Sequence, residues 1–409
     1  MIGRFRNLYD EYNPQFWLMV SGIFISTAGA SMIMPFLMIY ATDKLDIPLS
    51  TAATLLTINA GTSLFSSFLA GSLADKLGRK LVMNISLTLN GLAYLCMPLA
   101  VTYPSLAVLM AVLGASNPLY RVGADAMLAD LVPSEKRVDA YAINRMLNNA
   151  GFAIGPAVGG FVATESYNIA FLAGATGMLV YSGLLFFLAH ETLNKQTQSA
   201  ELHSVPEVGG GYGQIFHDGK YLAFIGILGL GLIAPGMLWV LLAVYTKNNF
   251  GLPESLFGWI PTTNALMCVF VQYSVTQITR RHPTLPVIAV GMLIYALGVG
   301  SVAFMSGFWG FWLSMVILTF GELTLVPTAS KYVADLAPAD LRGRYMSLYW
   351  LGWGISRTAA PLIGGFLNDN LTPRAIWVGG LLIGLTSAIG LYLLSRLEVK
   401  RSLDWLRTL

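Results

Sequence analysis

Long apolar blocks separated by short polar stretches run along the whole chain of 409 residues. Most blocks hold roughly twenty or more residues, the length that an α-helix needs to cross the hydrocarbon core of a bilayer. A soluble amphipathic helix would instead show a narrow apolar stripe with charged residues on its other face. The pattern therefore predicts an all-α polytopic membrane protein.

The blocks predict twelve transmembrane helices, arranged as two pseudo-symmetric six-helix bundles. We expect an N-terminal bundle over 1–190, a cytoplasmic linker over 191–219 and a C-terminal bundle over 220–409. The predicted spans of the first bundle are 16–41, 50–74, 80–102, 104–130, 139–164 and 168–190. Those of the second bundle are 220–246, 254–279, 284–306, 308–336, 343–368 and 373–395.

The composition agrees with this class of protein. Hydrophobic residues make up 55% of the chain and charged residues only 11%, whereas soluble domains carry about 25% charged residues. The block that begins at Phe16 is too long for a signal peptide and lacks a small-residue cleavage site, so we expect it to remain as the first span. Cys96 and Cys268 fall in different spans, and a disulfide between them is not expected.

The basic residues predict the orientation of the helices. They gather at the two termini and in the connections on the same side of the membrane, and only Lys44, Lys247 and Arg374 lie on the other side. Because Lys and Arg accumulate in cytoplasmic loops, we expect a multi-pass cell-membrane protein with both termini in the cytoplasm.

The chain repeats itself at a constant offset of 205 residues. The segment "ADLVPSEKR" (129–137) aligns with "ADLAPADLR" (334–342), Pro156 aligns with Pro361, and "GGF" at 159–161 aligns with "GGF" at 364–366. Two parallel halves of this kind place a substrate site near the bilayer midplane and alternate its access by rocking.

Three motifs resemble those of a known family. The segment "GSLADKLGRKLVM" (71–83) is similar to the signature between spans two and three of the major facilitator superfamily. "GFAIGPAVGG" (151–160) resembles the fifth-span signature of its drug/proton antiporter branch, and "GELTLVPTASKYVADLAP" (321–338) resembles the tenth span of bacterial multidrug/proton antiporters. One departure is that the fourth-span arginine common in that branch would fall at Met110.

The resemblance implies roles for two sets of residues. In the first motif, Asp75 and Arg79 would hold the cytoplasmic ends of the two halves together in one state, although these charges could also simply mark a cytoplasmic turn. The glycines and proline of the second motif would bend and closely pack a helix, as a seal against proton leak or as packing alone. The predicted latch residues are Gly71, Asp75, Gly78, Arg79, Lys80, Arg137 and Arg342, and the antiporter-motif residues are Gly151, Gly155, Pro156, Gly159 and Gly160.

Glu322 is the only formally charged residue between Pro283 and Ser330. An ionised side chain at mid-membrane is costly and marks a functional site, and desolvation favours the protonated carboxyl. Glu322 is therefore predicted to carry protons, with Asp125 as a helper. The predicted charge partners or substrate-binding residues are Arg121, Arg357, Asn117, Asn148 and Asn149. Two structural alternatives remain, namely neutralisation of Glu322 by Arg357 and pairing of Arg121 with Asp125 four residues away.

The sequence favours a proton-coupled secondary antiporter that exports small hydrophobic or amphipathic compounds by alternating access. The alternative is a transporter of the same fold for a sugar, amino acid, siderophore or lipid headgroup. An enzyme is not expected, because the four histidines lie in loops or at helix ends and "VGGGYG" lacks the lysine of a P-loop. We expect no cofactor, metal or nucleic acid, and a monomer in the lipid bilayer whose partners are protons and a small-molecule substrate.

Overall fold

The computed structural model describes residues 12–133, 136–193, 212–338 and 341–408. Within these ranges the chain is almost entirely helical and contains no β-strand. The predicted all-α class is thereby confirmed for the part of the chain that the structure describes. Residues 194–211 of the predicted linker lie outside the described residues.

The helices follow one another with short connections. In the first half they are α1 (Pro14–Ile33), α2 (Leu37–Leu45), α3 (Leu49–Leu77), α4 (Arg79–Cys96), α5 (Tyr103–Leu131), α6 (Arg137–Glu165) and α7 (Tyr167–Leu188). In the second half they are α8 (Tyr212–His217), α9 (Gly219–Phe250), α10 (Glu254–Phe257), α11 (Trp259–Phe270), α12 (Gln272–Thr279), α13 (Thr284–Ser301), α14 (Gly307–Leu336), α15 (Arg342–Asn370) and α16 (Ala375–Thr408).

Nine helices of the described chain are long and apolar enough to cross a membrane. Some of these spans join neighbouring elements, as in Pro14–Leu45. The other three predicted spans correspond to α6, to α15 and to the pair α11 and α12. Glycine, asparagine and arginine lower the hydropathy of α6 and α15, and α11 and α12 are each short. The count of twelve spans therefore stays a prediction.

Proline and glycine divide two of the predicted spans. A 3-10 turn at Met34–Phe36, which contains Pro35, separates α1 from α2, because proline has no N–H to continue the helical ladder. The predicted span over 254–279 is formed by three helices, since Gly258 ends α10 and a turn at Val271 separates α11 from α12. The first predicted span remains one candidate crossing, Pro14–Leu45, with a turn inside it. The span over 254–279 stays a prediction.

The chain forms two compact units. Unit 1 comprises Met1–Ile47, Thr54–Ser204 and Pro253–Ala265, and unit 2 comprises Pro48–Ala53, Val205–Leu252 and Leu266–Leu409. Each unit therefore takes one short segment from the other half of the sequence. The predicted domain boundaries at the linker stay a prediction.

Each unit has its own apolar core. In unit 1, Met19, Met83, Met127 and Tyr181 bring together α1, α4, α5 and α7, and all four side chains are fully buried. In unit 2, α9, α13, α14, α15 and α16 pack against one another, and the buried ring of Trp377 meets that of Tyr245 at 5.0 Å.

The exchanged segments make equivalent contacts in the two units. In unit 1 the Ser255 amide donates to Thr164 Oγ1 at 3.2 Å, and in unit 2 the Ser50 amide donates to Asp369 Oδ2 at 2.8 Å. Ser50 and Ser255 are 205 residues apart, as are Thr164 and Asp369. The internal repeat thus extends from sequence to tertiary contacts.

The glycines of the 151–160 motif allow α6 to approach α1 at backbone distance. A Cβ atom at Gly151 would lie 3.0 Å from the Phe24 carbonyl oxygen, and one at Gly159 would lie 2.2 Å from the Met32 carbonyl oxygen. On the other side of α6, a Cβ at Gly160 would lie 2.2 Å from the Glu254 carbonyl oxygen. The motif therefore packs one helix against two backbones within unit 1, as small residues do in membrane proteins.

We expect the substitution Gly159→Ala to lower the free energy of unfolding by about 1–3 kcal/mol, because the new methyl group overpacks the α1–α6 contact. Thermal unfolding of the detergent-purified protein measures the effect. The matched control is Gly183→Ala on α7, where a Cβ atom would meet nothing within 4 Å. Equal stability of the two variants would show that the close approach of α1 and α6 is not required.

Candidate functional site

The loop between α3 and α4 is closed by a carboxylate that follows α7. Glu191 accepts hydrogen bonds from the backbone amides of Arg79 at 3.2 Å and Lys80 at 3.1 Å, so it caps the first turn of α4. Gly78 has φ of 100°, and a Cβ there would lie 2.4 Å from Glu191 Oε2. Glycine is required at this position by both the backbone conformation and the space.

A second contact fixes the same end of unit 1. The side-chain amide of Gln15 donates to the His190 carbonyl oxygen at 2.8 Å, and its Oε1 accepts from the His190 amide at 3.1 Å. The chain that leaves α7 is therefore bound to the start of α1 by His190 and to the start of α4 by Glu191.

Arg79 has its ion-pair partner within unit 1. Its guanidinium pairs with Asp130 at the end of α5 and donates to the Ala126 carbonyl oxygen at 2.9 Å. Sequence reasoning missed Asp130, although the repeat carried a signal, since Asp130 aligns with Asp335. In unit 2 Asp335 pairs with Lys331 on its own helix.

The other predicted latch residues lie around this loop. Asp75 is exposed, and Gly71 has open space around it. Lys80 lies over the Phe186 ring at 5.4 Å, while Arg137 donates from Nε to the carbonyl oxygens of Ala129 and Val132 and so closes the end of α5. The side chain of Arg342 lies outside the described residues. The latch between the halves stays a prediction.

A neutral polar network joins α4 to α5 in unit 1. The Asn90 amide donates to Asn117 Oδ1 at 3.0 Å, and Ser116 Oγ donates to Asn90 Oδ1 at 2.8 Å. Ser86 Oγ donates to the Ser116 carbonyl oxygen at 2.6 Å. The predicted site residue Asn117 is thus held by its neighbours while its surface remains exposed.

The predicted pair of Arg121 and Asp125 is close but not joined. Both side chains are exposed, and the Arg121 charge acts on Asp125 without an ion pair among the described residues. The Tyr141 hydroxyl donates to the backbone carbonyl of Asp125 at 3.1 Å. The structural pairing considered from the sequence is therefore limited to a longer-range attraction.

The two neighbouring asparagines of α6 differ. Asn148 donates to Thr27 Oγ1 at 3.1 Å, so this amide joins α6 to α1. Asn149 is half-buried. Of the two, Asn148 has an evident packing role.

Glu322 lies on α14 in unit 2 and is half-buried. The preceding residue, Gly321, touches α13 at backbone distance: a Cβ there would lie 2.6 Å from the Tyr295 nitrogen and 2.9 Å from the Gly291 carbonyl oxygen. The Tyr295 side chain is only 2% exposed, and the charges that act on its hydroxyl come from Glu322, Cys268 and Tyr349. Sequence reasoning did not include Tyr295.

A side chain from another helix supplies a hydrogen-bond donor that the α14 backbone lacks next to Glu322. Pro327 lies inside α14 and cannot donate to the carbonyl four residues before it, which belongs to Leu323. Gln272, the first residue of α12, donates its side-chain amide to that Leu323 oxygen at 3.1 Å. The break between α11 and α12 thus brings a donor to the one carbonyl that proline leaves open.

Arg357 lies on α15, and its side chain is exposed. Arg357 forms no ion pair with any residue that the structure describes, so permanent neutralisation of Glu322 by Arg357 is not part of this arrangement. The described residues also contain no group of three or more His, Cys, Asp or Glu side chains that could hold a metal ion.

Comparison with known proteins agrees with this architecture. The family model described as Major Facilitator Superfamily matches residues 19–238 and 223–406. The chain belongs to the Major Facilitator Superfamily. It is therefore a membrane transporter and not an enzyme.

Two curated bacterial relatives are similar to this superfamily member over most of their length. One is a Na(+), Li(+), K(+)/H(+) antiporter of Planococcus maritimus, 28% identical over 384 residues that cover 86% of this chain and 89% of the relative. The other is the quinolone resistance protein NorA of Staphylococcus aureus (strain MSSA476), 25% identical over 363 residues that cover 87% and 90%.

A solved structure of the superfamily has the same fold. The nucleoside transporter NupG superposes with a TM-score of 0.79 over 93% of this chain and 99% of that chain, at 13% sequence identity. At this identity the likeness concerns the fold and not the substrate.

We expect Glu191→Ala to destabilise unit 1 by about 1 kcal/mol, since two amide donors at the start of α4 lose their acceptor. Thermal unfolding in detergent measures the change. Glu165→Ala at the exposed end of α6 is the control for loss of a carboxylate as such. A Glu191→Ala protein as stable as this control would contradict the capping role.

We expect Gln272→Leu to lower the free energy of unfolding by about 1–3 kcal/mol, because the Leu323 carbonyl is left without its donor in apolar surroundings. The double variant Gln272→Leu/Pro327→Ala restores the backbone N–H at residue 327 and should recover most of the loss. Unfolding midpoints of both variants measure these changes. If the double variant is no more stable than Gln272→Leu, Gln272 does not act by replacing the donor that Pro327 lacks.

Proposed function

We propose that this transporter is a proton-coupled antiporter that exports small hydrophobic or amphipathic compounds, with Glu322 as its principal proton carrier. The proposal rests on one position of the internal repeat at which the two halves carry chemically different residues. Glu322 and Asn117 are 205 residues apart, and both lie in the fourth predicted span of their half. One copy is a neutral amide and the other a titratable carboxyl.

The surroundings of Glu322 suit proton exchange. The carboxyl is half-buried on α14 in a stretch with no other formal charge, where the cost of ionisation favours binding a proton. Arg357 on α15 makes no ion pair among the described residues, so it does not hold Glu322 permanently ionised. Each proton that crosses inward would supply about 2.3 kcal/mol per 100 mV of membrane potential.

The relatives support the reaction class. One is named as an alkali-cation/proton antiporter and another as a quinolone resistance protein. The first name states exchange against protons, and the second concerns resistance to quinolones, which are small amphipathic compounds. Under this proposal the protein lies in the cell membrane with both termini in the cytoplasm, Asp125 assists proton transfer, and Asp75 and Arg79 belong to the latch.

A second candidate is exchange of alkali cations for protons, which the name of the Planococcus relative favours. A carboxylate oxygen is a suitable ligand for a hard cation, so Glu322 could alternate between a proton and Na⁺ or K⁺. This candidate needs no apolar substrate. It is tested by the same preparation as the first.

The test uses purified protein in liposomes with an imposed inward proton gradient. Lumenal pH is followed while lipophilic cations, neutral amphiphiles, alkali cations or polar metabolites are added in turn. We expect lipophilic cations or amphiphiles to trigger proton movement in the parent and at least a tenfold slower movement in Glu322→Gln. The control is Asp335→Asn, which removes an exposed carboxylate from the same helix.

Each other outcome points elsewhere. Proton movement triggered by Na⁺ or K⁺ alone would favour cation exchange, and movement triggered by a sugar or amino acid would favour a metabolite transporter. Full activity in Glu322→Gln would contradict the role assigned to this carboxyl.

A further inference from the structure

The two halves hold equivalent residues in the contact between their third and fourth predicted spans. Under the offset of 205 residues, Asn90 corresponds to Tyr295 and Asn117 corresponds to Glu322. In unit 1 the two asparagines are hydrogen-bonded at 3.0 Å. The equivalent positions in unit 2 carry a phenol and a carboxyl.

The backbone around the second pair is closely packed. Ser86 and Ser116, which are bonded to each other in unit 1, correspond to Gly291 and Gly321 in unit 2. A Cβ at Gly321 would lie 2.9 Å from the Gly291 carbonyl oxygen. Where unit 1 has two serines, unit 2 has two glycines, and the two helices are in contact in both units. The glycines fix the spacing between the backbones that carry Tyr295 on α13 and Glu322 on α14.

The Tyr295 hydroxyl is available to Glu322. Tyr295 is 2% exposed, and Glu322 is the foremost of the charged or titratable groups that act on it. A buried hydroxyl gains stability from an acceptor, because leaving it unsatisfied costs free energy. A carboxylate oxygen of Glu322 would be such an acceptor.

The groups that can act on the protonation of Glu322 include those on the helices packed against α14. The helices packed against α14 are α9, α12, α13 and α15. α9 carries no charged residue between Lys220 and Lys247, α12 offers the amide of Gln272, and α13 offers Tyr295. α15 carries Tyr349 and Arg357, while the titratable group of the neighbouring α11 is Cys268.

We propose that Tyr295 is a positioning residue for Glu322, whose hydroxyl donates to the ionised carboxylate and loses this bond when the carboxyl takes up a proton. The proposal rests on the proposed function, in which Glu322 carries the proton. Tyr295 keeps its own proton throughout. The hydrogen bond sets the pH at which Glu322 exchanges protons. It is the counterpart of the hydrogen bond that Asn90 donates to the neutral Asn117 in the other half.

The experiment measures carboxyl protonation directly and needs no substrate. Infrared difference spectra of the purified protein are recorded from about pH 5 to about pH 9, and the C=O band of the protonated carboxyl is assigned to Glu322 by its loss in Glu322→Gln. A hydroxyl that donates to the charged form favours ionisation. We therefore expect Tyr295→Phe to move the titration midpoint of this band upward by about one pH unit.

The matched control is Tyr181→Phe in unit 1. Tyr181 is likewise fully buried, and its hydroxyl accepts from that of Tyr120 at 3.4 Å, so this variant also removes a buried hydroxyl but leaves the α13–α14 contact intact. Its Glu322 band should titrate as in the parent. If the titration midpoint of the Glu322 band shifts equally in both variants, the shift reflects the loss of any buried hydroxyl, and the proposal is overturned.

The remaining outcomes separate the two proposals. A midpoint unchanged by Tyr295→Phe would overturn the role of Tyr295 while leaving Glu322 as a proton carrier. An upward shift in a protein that moves no protons in liposomes would support the pairing and overturn only the antiport function. A Glu322 band that does not titrate in either protein would overturn both.

Discussion

A backbone amide or carbonyl in hydrocarbon has no water to bond, and this constraint determines how the helices of the chain are built. Continuous helices satisfy it without help. At Pro327 the ladder loses one donor, and Gln272 replaces it from another helix. Because that bond lies one residue after Glu322, the contact that completes the backbone also holds the helical segment that carries Glu322.

Close backbone contact is the second organising element. Gly151, Gly155 and Gly159 bring α6 against α1, and Gly321 brings α14 against α13. In lipid there is no hydrophobic drive to hold helices together, so contact at this distance supplies the dispersion energy that larger side chains would prevent. The result is that a residue next to such a glycine is held to a narrow range of positions relative to the facing helix.

The sequence predicted the helices well, because their apolar blocks are long and continuous. The breaks within α1–α2 and α10–α12 were missed although Pro35 and Gly258 were visible, since a proline in a span can bend a helix or divide it. Asp130, Glu191, Gln272 and Tyr295 were also missed. Arg79, Lys80 and Leu323, the partners of the first three, lie far away in the sequence, and only the offset of 205 residues linked Asp130 to Asp335 and Tyr295 to Asn90.

The contacts of His190 and Glu191 affect where the chain can be interrupted. Both residues follow the last helix of the first half, yet they are bound to the starts of α1 and α4. The connection between the halves is therefore bound to unit 1 at its first residues. A fluorescent protein or affinity tag inserted between α7 and Glu191 would separate Glu191 from the amides at the start of α4 and so open the α3–α4 loop.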